Sequence, residues 1–247
     1  MPLFPQVRSA APERRAVLAG HLDYRAAHLV QIRPSRPSDG AALVEVAYAT
    51  GFFGCSAEIY FPARALFGAL WVGPYLGPAG ACGLLAECEG RVLGYVLGSP
   101  NPQTYRGYFQ KNLPGWLLAA ALGRYPGLMG SLRFLWRSLC YPSRRAPLDL
   151  YPAHLHINLL PEARGKGLGE RLLRAHLDCL RARGVPGVQL STTLENSAAL
   201  RLYQKLGFRE YARWESPLWA PWLGRPTVHL TLVLSLKPKD FVKNTLI

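Results

Sequence analysis

The sequence predicts a mixed α/β domain built on one central sheet. Apolar residues make up 49% of the 247 residues, which is enough for a sizeable core. Segments with the alternating pattern of strands are interspersed with segments that have the 3.6-residue period of helices. Their order is β-α-α-β-β, an inserted stretch, and then β-α-β-α-β-β, which is typical of a sheet covered by helices.

The N-terminal half begins with residues 1–26, which are rich in Ala, Arg and Pro and are expected to be a loose extension of a main domain at 27–236. Ser38-Asp39 predicts a helix N-cap, and Glu89-Gly90 predicts the turn of a hairpin. The predicted elements are a strand at 28–33, helices at 41–50 and 57–70, a loop at 72–80, and strands at 82–88 and 91–97.

The C-terminal half has the most regular pattern of the chain. Leucines recur at helical spacing between residues 167 and 183, and Gly207 predicts the end of a later helix. The predicted elements are a strand at 154–160, helices at 167–183 and 196–206, strands at 188–192, 208–214 and 228–236, and a tail at 237–247.

Residues 99–150 differ in composition from the rest and are predicted to be an insertion. They contain seven basic residues and one acid, interleaved with aromatic residues, and two helices are expected near 113–122 and 129–139. Arginines together with aromatic side chains suit an acidic or sugar-like ligand, and also single-stranded nucleic acid. The insertion is therefore either a lid over a binding site or a helical subdomain whose aromatic side chains pack inward.

The net charge of +14 favours an anionic partner, which can be nucleic acid, an acidic membrane surface or a polyanionic small ligand. No nucleic-acid-binding motif accompanies the charge, so nucleic acid is not the favoured partner. The most apolar stretch, 116–122, is too short to cross a bilayer, and no signal peptide is recognised. We expect a cytoplasmic protein without membrane contact, as a monomer or homodimer.

The five cysteines predict neither a disulfide framework nor a zinc site. No two of them have the C-x-x-C spacing, and their number is odd. Buried, reduced thiols are the favoured interpretation. No metal site is expected.

The segment LLPEARGKGLGERLL, residues 159–173, has the pattern of a strand end, a glycine-rich turn and a helix start. Glycines let the backbone approach a ligand closely, and the first amides of a helix have no partner within it. These amides and the helix dipole favour a bound phosphate. Arg164 and Lys166 add positive charge at the same turn.

Two other phosphate-binding motifs fit this turn poorly. A Walker A loop needs Ser or Thr after Gly-Lys, but Gly167 stands there. A Rossmann turn needs G-x-G-x-x-G, whereas Gly165, Gly167 and Gly169 have the spacing G-x-G-x-G. A glycine-rich turn without a ligand is a further alternative.

The spacing R-x-x-G-x-G, present as Arg164, Gly167 and Gly169, resembles the acetyl-CoA loop of the GNAT N-acetyltransferases. Downstream, NSAALRLYQKLGF at 196–208 resembles a second segment of that family. The resemblance covers about 28–236 without 99–150. The phrase YPAHLHINLLP at 151–161 is also similar to a subgroup that includes the acetyltransferase-like domain of some O-GlcNAcases.

This resemblance implies a mostly antiparallel mixed sheet with helices on both faces, in which two strands splay apart to form a cleft for coenzyme A (CoA). It also implies roles for individual residues. Asn196 is implied to hold pantetheine, and Tyr203 to protonate the leaving thiolate as a general acid. The main chain of Leu159 and Leu160 is implied to pair with pantetheine. The amides implied to bind the CoA pyrophosphate are those of Gly165, Lys166, Gly167, Leu168 and Gly169.

The general base is less clearly indicated. Strand alternation predicts that His154, His156 and Asn158 share one face. An aspartate is common in the O-GlcNAcase-related subgroup where this chain has Asn158, and asparagine cannot accept a proton. His156 is then the candidate base, although a hydrogen-bonded structural histidine is an equal alternative. Glu58 and Glu87 are weaker candidates.

The resemblance thus implies an acetyl-CoA-dependent N-acetyltransferase that moves an acetyl group directly to a primary amine of a small molecule or a protein. A non-catalytic acyl-CoA-binding module is the alternative, because no obvious base is present. A nucleic-acid-binding accessory protein is a third possibility that only the charge supports.

Overall fold

The structure, a computed structural model, describes residues 30–237. The predicted N-terminal extension and nearly all of the predicted tail lie outside the described residues. The helices are α1 Gly40–Thr50, α2 Arg64–Trp71, α3 Pro102–Ala121, α4 Leu128–Cys140, α5 Leu168–Ala182, α6 Ser197–Lys205 and α7 Ala220–Leu223. The strands are β1 Gln31–Pro34, β2 Leu84–Cys88, β3 Arg91–Ser99, β4 Ala153–Leu159, β5 Gly187–Thr193, β6 Arg209–Ser216 and β7 Thr227–Ser235.

The seven strands form one sheet in the order β1-β2-β3-β4-β5-β7-β6. Every neighbouring pair is antiparallel except β4 and β5, which are parallel. The predicted mixed, mostly antiparallel sheet is therefore confirmed. Within the described residues, no helix has the length and apolar character needed to cross a membrane.

Helices cover both faces of the sheet, as predicted, and each face has its own core. On one face the leucines of α5 are buried against β2–β5, in the helical period that the sequence shows. On the other face α1, α2 and α4 enclose an aromatic core around Phe61, Phe67 and Phe134. The predicted turn between β2 and β3 is present, with positive φ angles of 50° at Glu89 and 79° at Gly90.

Three local predictions differ from the structure. The helix predicted over 57–70 is a 3₁₀ turn at Ala57–Ile59 followed by α2 from Arg64, because Pro62 interrupts the helical hydrogen bonds. Helix α3 begins at Pro102 and not near residue 113, because the Asn101 side chain accepts hydrogen bonds from the backbone N–H groups of Gln103 and Thr104. Asp39 does not cap α1 with its side chain. Its carboxylate instead accepts hydrogen bonds from the Arg33 guanidinium, which keeps the pKa of Asp39 below its usual range.

The prediction of reduced, buried cysteines was wrong. Cys82, just before β2, forms a disulfide with Cys179 on α5, across a sequence separation of 97 residues. The spacing of cysteines indicates only local pairs, whereas this pair depends on the packing of α5 onto the sheet. Cys55 and Cys140 are exposed, so burial applies to the thiol of Cys88 among the remaining three.

Candidate functional site

Strands β4 and β5 separate soon after they begin. Their parallel pairing is limited to Ala153 with Val188 and His154 with Gln189, and beyond this point the two strands diverge. The gap leads into a cavity of about 460 Å³ between the end of β4, the glycine-rich turn and the start of α6. We name it the first cavity.

The glycine-rich turn forms one wall of the first cavity. Gly165 and Gly167 both have a φ of 73°, and Gly167 is the N-cap of α5. A side chain at either position would meet open space, so the backbone conformation and not crowding favours glycine there. The first amides of α5 have no partner inside the helix, which makes this end of the cavity suitable for an anion.

Gly169 is favoured for a different reason. A Cβ atom there would lie 3.1 Å from Leu159 Cδ1 and 3.2 Å from Leu202 Cδ2, so a larger residue would push these side chains by a few tenths of an ångström. Glu170 also lines the cavity, but its carboxylate is paired with Arg174 and Lys205. The pairs with Lys205 and Arg174 lower the pKa of Glu170 and offset its charge next to this end of the cavity.

Arg164 is held by main-chain carbonyls. Its Nε donates to the Leu159 oxygen at 3.0 Å and its Nη2 to the Gly54 oxygen at 3.0 Å. The guanidinium therefore connects the turn to the end of β4 and to the loop after α1, while its positive charge stays at the cavity wall. The Lys166 side chain is exposed beside it.

At the end of β4, fewer backbone groups are free to pair with a ligand than the family resemblance implies. The Leu160 amide donates to the Leu93 carbonyl at 2.9 Å, and its own carbonyl accepts from the Ala163 amide at 2.9 Å. Both groups are thus used within the protein, which argues against pairing between Leu160 and pantetheine. Because backbone groups alternate sides along a strand, those of Ile157 and Leu159 face the gap toward β5.

A second cavity, of about 440 Å³, adjoins the first. The residues that line both are Thr50, Phe53, Gly54, Ile157, Asn158 and Asn196. Tyr203 and His156, the two predicted catalytic residues, line the second cavity. The structure therefore brings together the predicted anion-binding turn, Asn196, Tyr203 and His156 at two cavities that share a wall.

Tyr203 lies on α6 with only 6% of its surface exposed, and its ring packs beside that of Phe208. Burial raises the pKa of the Tyr203 phenol well above its usual value. The hydroxyl is thus protonated at neutral pH and can donate a hydrogen bond.

His156 is oriented by two neighbours on its side of the sheet. The buried Tyr95 hydroxyl donates to Asn158 Oδ1 at 3.1 Å and lies 3.5 Å from His156 Nδ1. Since the Tyr95 proton is committed to Asn158, the Tyr95 oxygen is left to accept the Nδ1 proton. His156 Nε2 then has the lone pair, and it is buried without a hydrogen-bond partner. Burial lowers the pKa of His156 to about 4, so the ring is neutral at pH 7.

Asn158 is held at both ends of its amide. Its Nδ2 donates to Thr50 Oγ1 at 2.7 Å, while its Oδ1 accepts from Tyr95. Asn158 therefore has a fixed position in the wall that the two cavities share. His154, the third residue on this face, has its Nε2 2.9 Å from the Tyr75 hydroxyl and lines neither cavity.

The sequence matches are to acetyltransferases. The model of the Acetyltransferase (GNAT) family matches residues 129–208. Mycothiol acetyltransferase of Renibacterium salmoninarum is 42% identical over 60 residues, which are 24% of this chain and 17% of that protein. N-alpha-acetyltransferase 30 of Schizosaccharomyces pombe is 36% identical over 83 residues, 33% of this chain and 54% of that protein. The chain thus spans about half of one relative and under a fifth of the other.

Solved structures agree on the fold. SsHAT has a TM-score of 0.60 at 26% identity, over 85% of this chain and 99% of that chain. The structure of yncA from Salmonella typhimurium with its cofactor acetyl-CoA has a TM-score of 0.52 at 18% identity, over 86% and 96% of the two chains. By sequence match and by fold, the chain is thus similar to acetyltransferases of the GNAT superfamily.

The GNAT match extends from α4 to the start of β6, so it includes the glycine-rich turn, Asn196 and Tyr203. The weaker base candidates lie elsewhere. Glu87 pairs with Arg33, Glu58 is exposed, and neither lines one of the two cavities.

Several residues that line the second cavity are not indicated by any pattern in the sequence. Phe53 has a positive φ of 50°, which is rare for an aromatic residue, and its ring packs against Trp219 at the junction of the cavities. Thr193 and His229 come from β5 and β7, where they are paired across the sheet. They meet only through the fold, so no spacing along the chain indicates them.

Proposed function

We propose that this protein is an acetyl-CoA-dependent N-acetyltransferase that transfers an acetyl group directly to a primary amine of a small molecule or a protein. The main support is the arrangement of two cavities with a common wall. The first has an anion-binding helix end and an open strand edge, and the second has a buried phenol and a neutral imidazole. One cavity suits the cofactor and the other suits the acceptor.

The first cavity has the groups that CoA requires. In this proposal the amides from Gly165 to Gly169 bind the pyrophosphate, and Arg164 and Lys166 add positive charge. The backbone groups of Ile157 and the amide of Leu159 pair with the extended pantetheine, while the Leu159 carbonyl accepts from Arg164. Asn196 holds the pantetheine further along. We carry Leu159 but not Leu160 into this assignment, since both backbone groups of Leu160 are bonded within the protein.

Bound acetyl-CoA supplies an activated acetyl group and a thiolate leaving group. The chain supplies the proton transfers. His156 Nε2 accepts the proton that the amine loses as it forms the new C–N bond, and Tyr203 donates its proton to the sulfur as the C–S bond breaks. A backbone amide at the end of β4 stabilises negative charge on the carbonyl oxygen. The shared wall holds the amine and the thioester next to each other, which lowers the barrier by positioning.

A non-catalytic acyl-CoA-binding module is the second candidate. One observation favours it: the only predicted base that lines a cavity, His156, has a pKa of about 4 and is thus a weak base. In that case the first cavity binds the cofactor but no transfer follows. The resemblance of 151–161 to the O-GlcNAcase-related subgroup is compatible with either candidate.

Cofactor binding is tested by calorimetry on two matched variants. Gly167→Glu places a carboxylate where the pyrophosphate would lie, and we expect it to weaken acetyl-CoA binding at least tenfold. Gly184→Glu is the control, because Gly184 follows the other end of α5, also has a positive φ of 68° and also has open space beside it. Equal affinity of both variants and the unsubstituted protein would contradict the site.

Transfer is tested by thiol release from acetyl-CoA with a panel of primary amines. We expect turnover with at least one amine, and a loss of at least tenfold in kcat for Tyr203→Phe with the acetyl-CoA affinity unchanged. Binding without turnover on any amine would support the binding module instead. Absence of acetyl-CoA binding would overturn both candidates.

A further inference from the structure

The second cavity has two unlike walls. One is aromatic and is formed by Trp71, Phe134, Tyr141 and Trp219 from the helical side of the sheet. The rings of Phe134 and Trp219 lie 5.2 Å apart, centre to centre, at an angle of 32°. The opposite wall is polar and is formed by the end of β5, Ser191–Thr193, with His229 of β7 beside it. A ligand that fits both walls has one apolar face and polar groups at its edge.

Among the described residues, those that line the second cavity include no Asp, Glu, Lys or Arg. A charged group on the ligand, other than the reacting amine, would lose its hydration without gaining an opposite charge. The surroundings are also basic, with Arg137 held over the Tyr141 ring at 5.0 Å by the carbonyls of Leu218 and Pro217. Polycationic acceptors are thus disfavoured.

Three residues that line the second cavity each have a buried polar atom without a partner: His156 Nε2, Thr193 Oγ1 and His229 Nε2. Thr193 is 7% and His229 5% exposed, so both side chains are more than nine-tenths buried. Leaving a buried polar atom unpaired costs roughly 1–3 kcal/mol, and buried polar atoms in native proteins are rarely left so. His156 Nε2 is assigned to the reacting amine, which leaves Thr193 and His229 without a role.

We propose that the acceptor is a primary amine on an uncharged, hydroxyl-bearing ring, such as an amino sugar. Its apolar C–H face packs on the aromatic wall, and its hydroxyl groups bond with Thr193 and His229. This inference rests on the proposed acetyl transfer and specifies its acceptor. The volume of about 440 Å³ suits a small ligand of one or two such rings.

The first test compares three amines in the thiol-release assay. Glucosamine has the hydroxyl-bearing ring, cyclohexylamine has a ring of the same size without hydroxyl groups, and spermidine is a flexible polycation. We expect kcat/KM for glucosamine to exceed that for either of the others at least tenfold. Equal or faster turnover of cyclohexylamine or spermidine would overturn the inference while leaving acetyl transfer intact.

The second test asks whether the two unpaired side chains recognise the hydroxyl groups. Thr193→Val and His229→Phe are expected to lower kcat/KM for glucosamine about tenfold, with cyclohexylamine turnover and the acetyl-CoA affinity unchanged. Thr227→Val is the control: Thr227 Oγ1 is also buried and unpaired on β7, yet Thr227 does not line the cavity. Equal effects of all three substitutions would contradict a binding role.

A measurement of amine binding tests this inference separately from the proposed acetyl transfer. Saturation-transfer NMR with glucosamine and with cyclohexylamine reads out occupancy without any reaction. Glucosamine binding that Thr193→Val and His229→Phe weaken and Thr227→Val leaves unchanged would support the ring-binding cavity even if no turnover were found. Absence of glucosamine binding in a protein that turns over other amines would overturn it.

Discussion

At the scale of single residues, burial decides what two neighbours on β4 can do. His154 and His156 point to the same side of the sheet, and burial lowers the pKa of both, to about 3 and about 4. His154 Nε2 is next to the Tyr75 hydroxyl, whereas His156 Nε2 is unpaired and its side chain lines the second cavity. His154 can therefore serve as the control for a substitution of His156.

Exchanging each histidine for glutamine should therefore give different results. We expect His156→Gln to lower kcat by roughly 10²–10⁴, the usual contribution of a general base, with the KM for acetyl-CoA unchanged. His154→Gln should change kcat only slightly, because His154 contacts neither cavity. Steady-state kinetics of both variants is the measurement. Equal rates for the two variants would remove His156 from the proton transfer.

The pH profile gives a second view of His156. Since the folded protein keeps this ring neutral down to about pH 4, the kcat of the wild-type protein should not show an acidic limb near pH 6.5. We expect its acidic limb near pH 4 to 5, measured with saturating acetyl-CoA and amine. A limb near pH 6.5 that disappears in His156→Gln would show that the ring is far more basic than its burial implies.

At the scale of elements, helix α4, which lies in the predicted insertion, is part of the main core. Phe134 is 6% exposed and its ring contacts those of Tyr60, Trp71 and Trp219, whereas Trp136 on the same helix is 69% exposed. This packing favours an inward-facing aromatic subdomain over a detached lid. It also explains how the insertion contributes a wall of the second cavity.

Phe134→Ala should lower the free energy of unfolding by about 3–5 kcal/mol, because it removes a buried ring and leaves a cavity. Trp136→Ala should change it by less than about 0.5 kcal/mol, as expected for an exposed position. Urea unfolding followed by circular dichroism measures both. A small effect of Phe134→Ala would mean that α4 packs only loosely on the rest of the fold.

Elements with a regular pattern could be predicted from the sequence, and features made by distant contacts could not. The leucine period of α5, the Glu89-Gly90 turn and the glycine-rich turn are local, so the sequence indicates each of them. The start of α3, the Cys82–Cys179 disulfide and the bonds of Leu160 depend on capping or on partners elsewhere in the chain. The same holds for the polar wall of the second cavity.

At the scale of the whole molecule, four histidines whose pKa is lowered by burial couple stability to pH: His154, His156, His176 and His229. Burial lowers the pKa of His154 to about 3 and of His156 and His176 to about 4, against about 6.5 in the unfolded chain. Between pH 6.5 and about 4 the unfolded chain therefore binds more protons, and stability falls as the pH falls. We expect the free energy of unfolding to drop by about 2–5 kcal/mol from pH 7 to pH 5.

Urea unfolding at pH 7 and pH 5 measures this drop. His156→Gln removes one of these groups, so the stability of the variant should depend less steeply on pH than that of the unsubstituted protein. Equal stability of the unsubstituted protein at the two pH values would contradict the burial of these rings in neutral form.

The Cys82–Cys179 disulfide joins the sheet to α5 over 97 residues, so it restricts the unfolded chain more than a local crosslink would. On a chain-entropy model, a disulfide that closes a loop of this length stabilises the folded protein by about 4–5 kcal/mol, and measured values are more often about 2–4 kcal/mol.

We expect Cys179→Ser to lower the free energy of unfolding by a few kcal/mol, while Cys140→Ser, at an exposed position, serves as the control. The affinity for acetyl-CoA should change little, because Cys179 lies near the end of α5 opposite to the glycine-rich turn. Alkylation of the urea-unfolded protein, read by mass spectrometry, should label Cys82 and Cys179 only after a reductant is added, and labelling without reductant would contradict the disulfide.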